Sequence, residues 1–168
     1  MEVKLRRAAE KDAEQLAEIY NYSIQHERNA TFETELRTAE DRRFWIRNQH
    51  KRHPIIVAEC EGRILGWASS SPYRTRSCYD GIGEFSIYVH KPFRGKGIGK
   101  RLLNELIEEC RRIGHWKLLS RIFDFNHESR ELCKRCGFRE VGIYEKHGQL
   151  DGRWIDCVIV EKLLISVD

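Results

Sequence analysis

The sequence predicts an α/β fold, a mixed β-sheet with helices on both faces. Three observations point there. Apolar residues alternate with a period of two in some stretches, as in Glu84-Phe85-Ser86-Ile87-Tyr88-Val89, and fall at helical spacing in others, as in Leu102, Leu103, Leu106, Ile107 and Cys110. Strand-like and helix-like segments alternate along the chain with no internal repeat or low-complexity linker, which favours a sheet covered by helices. A glycine-rich turn, Arg94-Gly95-Lys96-Gly97-Ile98-Gly99-Lys100, joins a strand directly to a helix.

The elements follow in order. Residues 3–6 alternate as a short strand, and residues 12–24 put Ala13, Leu16, Ile19, Tyr20 and Ile24 on one helical stripe. A polar stretch over residues 25–37 carries Thr31-Phe32-Glu33, with Phe32 as a plug for the loop. The pattern Thr38-x-x-Asp41 caps a second helix bearing Phe44, Trp45 and Ile46. Residues 55–60 and 64–69 read as a hairpin about Glu61-Gly62-Arg63, and residues 70–79 break regular structure before the central strand at Glu84. After the glycine turn and its helix, residues 117–122 form a strand, and Asn126-x-x-Ser129 opens a short helix ended by Gly137. Strands over residues 139–144 and 154–163 close the chain, with turn-rich residues 147–152 between them.

Composition limits the function. At 168 residues the chain reads as a single domain spanning 1–168, large enough to bury a core without metal or disulfide support. A net charge of +4 is too small to imply nucleic acid, and no apolar run is long enough to cross a membrane. The N-terminal residues lack the apolar core of a signal peptide, so the expected location is cytoplasmic. Six cysteines are dispersed as small apolar residues, apart from Cys133-x-x-Cys136. That pair precedes Gly137 at a helix C-terminus, where the dipole opposes thiolate formation, and no second Cys or His pair completes a zinc site. No metal is expected.

The glycine turn carries the chemistry. A helix start leaves its first N–H groups without intrahelical partners, and with the helix dipole they suit a phosphate or pyrophosphate. Spacing decides which. A Walker loop needs glycine where Arg94 stands and Ser or Thr where Arg101 stands; the dinucleotide fingerprint needs its third glycine one residue beyond Gly99 and belongs after the first strand of a βαβ unit. What remains is Arg94-x-x-Gly97-x-Gly99 after a strand ending Val89-x-x-Pro92.

These residues resemble the acetyl-coenzyme A loop of the GNAT N-acetyltransferases. Asn126-x-x-Ser129-x-x-Leu132-Cys133-x-x-Cys136-Gly137-Phe138 is similar to the second hallmark of that superfamily. Tyr20-Asn21, Thr31-Phe32-Glu33, Tyr73-Arg74-x-Arg76-x-x-Tyr79, Glu84-x-Ser86-x-Tyr88-Val89 and Gly152-Arg153-Trp154-x-Asp156 together resemble the phosphinothricin and methionine sulfone/sulfoximine acetyltransferase branch. The resemblance implies a GNAT-like, mostly antiparallel sheet, acetyl-CoA as cosubstrate, and detoxification of a small anionic amino-acid-like amine. It also implies a homodimer, without nucleic acid or membrane as partner.

Site residues follow from chemistry and resemblance together. An alkylammonium must lose a proton before it attacks a thioester, and Glu84, at the start of the central strand, is where this branch places its base. Direct attack in a ternary complex needs no nucleophilic side chain. A main-chain N–H of Tyr88 or Val89 would stabilise the developing oxyanion. Arg94, Gly95, Lys96, Gly97, Ile98, Gly99 and Lys100 would hold the pyrophosphate, and Asn126 the pantetheine arm, unless it is only a helix cap. Cys133 stands where the family has a tyrosine acid, and burial favours packing there. Arg74 and Arg76, two apart in an extended segment, suit phosphinate, sulfone or carboxylate oxygens, with Tyr79 and Phe32 lining the same pocket and Glu33 placed to orient the amine. Tyr88 and Trp154 are expected in the core. A protein or peptide N-acetyltransferase, and a non-catalytic acetyl-CoA-binding or RNA-associated module, are the competing readings.

Overall fold

A computed structural model describes residues 1–49 and 51–165. Its elements are β1 (Lys4–Arg7), α1 (Ala13–Tyr22), α2 (Ala39–Asn48), β2 (Ile55–Cys60), β3 (Arg63–Pro72), β4 (Ile82–Val89), α3 (Ile98–Ile113), β5 (Lys117–Phe123), α4 (His127–Arg135), β6 (Arg139–Leu150) and β7 (Arg153–Leu163). The strands form one seven-stranded sheet in the order β1-β2-β3-β4-β5-β7-β6. Among the described residues, only β4 and β5 are parallel neighbours. The crossover between them is α3, as a parallel pair requires.

Alternation along the strands sorts the core onto two faces. Ile56, Ala58, Leu65, Phe85 and Val158 pack under α3 and α4 with Leu102, Leu103 and Leu106. Ile55, Val57, Ile64 and Trp67 face the other way, against Leu16, Ile19 and Tyr20 of α1. Helices therefore cover both faces. The Thr38 hydroxyl accepts from the Asp41 amide at 3.0 Å and starts α2, as the spacing predicts.

Three expectations are corrected. Strand β3 continues through Ser70 and Ser71 to Pro72, because these residues pair with β4 down to Pro72 opposite Gly83. Residues 147–150 belong to β6, and the turn contracts to Asp151 and Gly152, both with positive φ. Trp154 is 58% exposed beside the β6 edge, because the long β6–β7 hairpin runs past the helices that would cover it. Helix α1 also continues as a π turn over Ser23–Glu27, which ends at Arg28 in the left-handed conformation.

Candidate active site

Strands β4 and β5 pair only through Ile82 with Lys117, Gly83 with Leu118 and Glu84 with Leu119. Beyond Glu84 they diverge, and the gap opens towards the glycine turn. Main-chain direction alternates along β4. His90 N–H donates to Leu65, which makes Tyr88 and Trp67 a bonded pair across β3, so the peptide groups of Phe85, Ile87 and Val89 face the gap. The Ser120 hydroxyl donates to the Phe85 carbonyl at 2.8 Å, and Arg94 Nε donates to the Val89 carbonyl at 2.9 Å. Ile87 and Val89 therefore present N–H groups to the gap, whereas the Tyr88 amide is occupied by β3. Of the two amides expected as oxyanion donors, that of Val89 faces the gap, with that of Ile87 beside it, and that of Tyr88 does not.

The first cavity, about 390 Å³, runs from this gap over the glycine turn to the start of α4. It is lined by Val89, the turn from Arg94 to Lys100 except Lys96, and Asn126, with Ser129 and Arg135 on α4. Gly95 and Gly97 have φ of +75° and +80°, and an added Cβ would meet nothing at either, so backbone conformation alone calls for glycine. Gly99 instead lies against Leu132, 3.3 Å from the place of a Cβ. Arg101 N–H makes the first helical bond, to Gly97. The amides from Gly95 to Lys100 have no main-chain acceptor among the described residues, and together they form an anion cradle.

The cations around it divide into two kinds. Lys96, Lys100 and Arg135 form no ion pair among the described residues, and Arg135 was not anticipated because it comes from α4, distant in sequence. Arg94 is tied instead to Glu27, with Nη–O distances of 2.5 and 2.6 Å, and its guanidinium holds the Glu27 carboxyl below the usual carboxylate range. Asn126 caps α4 through Ser129 and donates to the Asn29 carbonyl at 3.1 Å. The segment after α1 is thereby stitched to both the turn and α4.

The second cavity, about 490 Å³, opens on the other side of the gap. Ala30, Ser86, Tyr88, Arg121 and Phe123 line both cavities and mark their junction. Phe32 packs on Phe123 at 4.7 Å between ring centres and lines this second cavity. Burial raises the Tyr88 phenol pKa, and the ring packs edge-on against Tyr20. The far wall is made of Arg37, Arg42, Trp45 and Trp67, none of them expected as site residues. Arg37 and Arg42 lie five residues apart at the start of α2, and Trp67 of β3 joins them only when α2 folds over it through Trp45.

Glu84 lines neither cavity; it projects on the same face as Ser86 and Tyr88, and its Oε1 lies 3.3 Å from the Nε of Arg121, which lines both. Arg121 reaches in turn to within 3.3 Å of His147 Nε2. Glu33 also lines the second cavity. Arg74, Arg76 and Tyr79 line neither cavity: the extension of β3 carries their loop past the sheet, where both arginines are exposed and the Arg74 guanidinium stacks on Tyr73. Cys133 is fully buried in the core, and burial pushes its thiol up to about 12, so it has neither the access nor the acidity to protonate a leaving group. No cluster of metal ligands occurs among the described residues.

An amide cradle at a helix start, beside a split parallel strand pair and a second cavity, is the arrangement of an acetyl-CoA-dependent N-acetyltransferase. The chain belongs to the GNAT acetyltransferase family, whose model matches residues 17–138. It is 34% identical to a phosphinothricin N-acetyltransferase of Streptomyces coelicolor, over 97% of each chain. It is 30% identical to an L-methionine sulfoximine/L-methionine sulfone acetyltransferase of Salmonella typhimurium, over 94% of this chain and 92% of that one. The crystal structure of a GNAT superfamily phosphinothricin acetyltransferase from Sinorhizobium meliloti in complex with acetyl-CoA superposes with a TM-score of 0.89 at 31% identity, covering 97% of this chain and 89% of that one.

Proposed function

We propose that the acceptor is a small anionic amino-acid-like amine, of the phosphinothricin or methionine sulfoximine/sulfone kind, acetylated by direct attack in a ternary complex. The observation that carries this reading is the second cavity: it meets the cofactor cavity at Ser86, Tyr88 and Arg121 and is lined by three arginines (Arg37, Arg42, Arg121) against one carboxylate, Glu33. Relatives with those named substrates align over nearly the whole chain.

Acetyl-CoA supplies a thioester acyl group open to attack by a neutral amine. In this reading the amides of Gly95 to Lys100 bind its pyrophosphate, helped by the side chains of Lys100 and Arg135, with the Lys96 ammonium outside the cavity over the Phe93 ring. Asn126 and the main chain of β4 guide the pantetheine arm into the gap. The Ile87 and Val89 N–H groups lie where negative charge develops on the acyl oxygen. Glu84 accepts the ammonium proton, directly or through water, from the same face as the acceptor cavity. The one thiol lining that cavity, Cys157, is buried and its pKa raised by burial, which argues against an acetyl-enzyme.

A second copy of the chain fits the β6–β7 hairpin, where Val141, Ile143, Tyr144 and Trp154 are all exposed. Arg74 lies within electrostatic range of Tyr144, whose ring packs on the cavity-lining His147 at 4.9 Å. The loop with Arg74, Arg76 and Tyr79 thus forms an outer rim that acceptors or a second copy can meet. The proposed setting is the cytoplasm.

The test is thiol release from acetyl-CoA with methionine sulfoximine, methionine sulfone, phosphinothricin and an N-terminal peptide. Glu84→Gln should lower kcat with the small acceptors about 10²-fold or more while acetyl-CoA still binds. Tight cofactor binding without turnover of any amine would overturn the reading, and turnover of the peptide alone would move it to the peptide class.

A further inference from the structure

Phe32 and Gly148 meet at the edge of the acceptor cavity, one from the segment between α1 and α2 and the other from β6. A Cβ built on Gly148 would stand 2.6 Å from Phe32 Cε1, 2.7 Å from Cζ and 3.1 Å from Cδ1. Contacts that short exclude a side chain unless the ring moves. The backbone makes no such demand: Gly148 pairs with Ile155 in the β6–β7 ladder, and its φ lies outside the left-handed region. Glycine is required here by the ring.

Both partners are held in place. Around the ring lie Phe123, at 4.7 Å between centres, and the buried side chains of Leu150, Ile155 and Cys157. Arg28 donates to both carboxylate oxygens of Asp151, at 3.0 and 2.5 Å, and so ties the start of the segment to the β6–β7 turn. The Thr31 hydroxyl bonds the Tyr20 hydroxyl at 3.2 Å and accepts from the Glu33 N–H at 3.1 Å, which fixes the main chain on either side of Phe32. On β6 a bulge sets the approach. Tyr144 pairs with Cys157 and Gly148 with Ile155, so β6 carries two residues more than β7 between these pairs. Lys146, inside the bulge, has φ of +46° and donates its N–H to Asp156 Oδ1 at 2.7 Å.

The open side of the ring faces the cavity. Phe32 lines the second cavity and not the first, while Phe123 against it lines both, so the ring stands just beyond the junction of the two. An acceptor with its amine at that junction runs its side chain past the ring. We infer that Gly148 is a positioning residue that sets acceptor length: by letting Phe32 lie back on β6, it keeps the passage open for side chains as long as those of methionine sulfone and phosphinothricin. Gly148 acts only through Phe32. The inference rests on the acetyltransferase reading above and adds what limits the reach of the acceptor.

The test is a series of acceptors of rising side-chain length: alanine, 2-aminobutyrate, methionine sulfone and phosphinothricin. Gly148→Ala should push the ring into the passage and lower kcat/KM about 10-fold or more on the two long acceptors, while the two short ones and the KM for acetyl-CoA change by less than about 2-fold. Phe32→Leu removes the two nearest ring atoms, so Gly148→Ala added to it should cost the long acceptors less than about 2-fold. A loss spread evenly over all lengths, or one that persists in the Phe32→Leu background, would overturn the inference. If Gly148→Ala does not fold, Phe32→Leu alone decides: it should raise kcat/KM for ethionine sulfone, one carbon longer, about 3-fold or more relative to methionine sulfone, and an unchanged ratio sinks the inference. If wild type acetylates no amine, the acetyltransferase reading fails by itself, and Kd values for the same series are measured by calorimetry on the CoA-bound protein. The same length pattern then upholds the role of Gly148, and a flat pattern or no binding overturns it.

Discussion

Both terminal nitrogens of Arg94 donate to the Glu27 carboxylate, at 2.5 and 2.6 Å, so the first cation of the glycine turn is held by the end of α1. The same guanidinium reaches the Val89 carbonyl. One side chain thereby fixes three segments around the cofactor cavity, and its role is to shape the turn.

Glu27→Gln should therefore raise the KM for acetyl-CoA about 3- to 10-fold and destabilise the protein by ~1 kcal/mol, the scale of a partly exposed bidentate pair. Arg94 holds the Glu27 pKa below its unfolded value, so this contribution is complete above the ordinary carboxylate range and is lost as pH falls through the depressed value. Thermal melts should show a gap in Tm between wild type and variant at pH 7 that closes in acid below about pH 4.

Gly97→Ala isolates backbone strain, because φ is +80° and open space surrounds the site. A left-handed alanine costs ~1–2 kcal/mol, and relaxation of the turn would move the amide cradle. Calorimetric titration should show weaker acetyl-CoA binding, by about 10-fold, with Tm lowered only a few degrees.

Cys133→Ala should leave kcat within about 2-fold and its pH profile unshifted, while costing ~1 kcal/mol of stability for the small cavity created. A drop in kcat beyond 10-fold with a displaced alkaline limb would instead assign the thiol a proton-transfer role. Stopped-flow assays with the best acceptor decide between them.

His115 is 1% exposed, burial lowers its pKa, and its ring meets His53 edge-on at 4.9 Å. The groups around it are the Arg52 carbonyl, which its Nε2 meets, and His53, itself bonded to Ser70. The unfolded state binds a proton that the folded state resists, so stability is complete above the unfolded pKa of about 6.5 and declines as pH falls below it. Tm should drop between pH 7.5 and 5.5 more steeply in wild type than in His115→Gln.

Much of this protein is legible in the chain. Among the described residues, period-two and helical spacing, with the capping patterns at Thr38 and Asn126, locate the four α-helices and seven strands, because residues 64–69 or 98–110 can bury their apolar atoms in only one secondary structure. Gly97 and Gly99 after Val89 mark the anion cradle through local backbone geometry, which sequence encodes directly. The ends of β3 and β6 were less visible, since Ser70, Ser71 and Gly148 lack strand propensity and are held by pairing with β4 and β7.

By itself, then, the sequence determined the fold class and marked the glycine turn and the strand that carries Glu84, all of them properties of contiguous segments. Only the tertiary structure decided which cations are available. Arg94 is taken by a carboxylate 67 residues away. Arg74 and Arg76 stand outside the cavity, while Arg37, Arg42 and Trp67 converge inside it. Spacing along a chain reports what shares a helix face or a strand face. Which charged side chain finds a partner depends on contacts between elements that the chain order keeps apart.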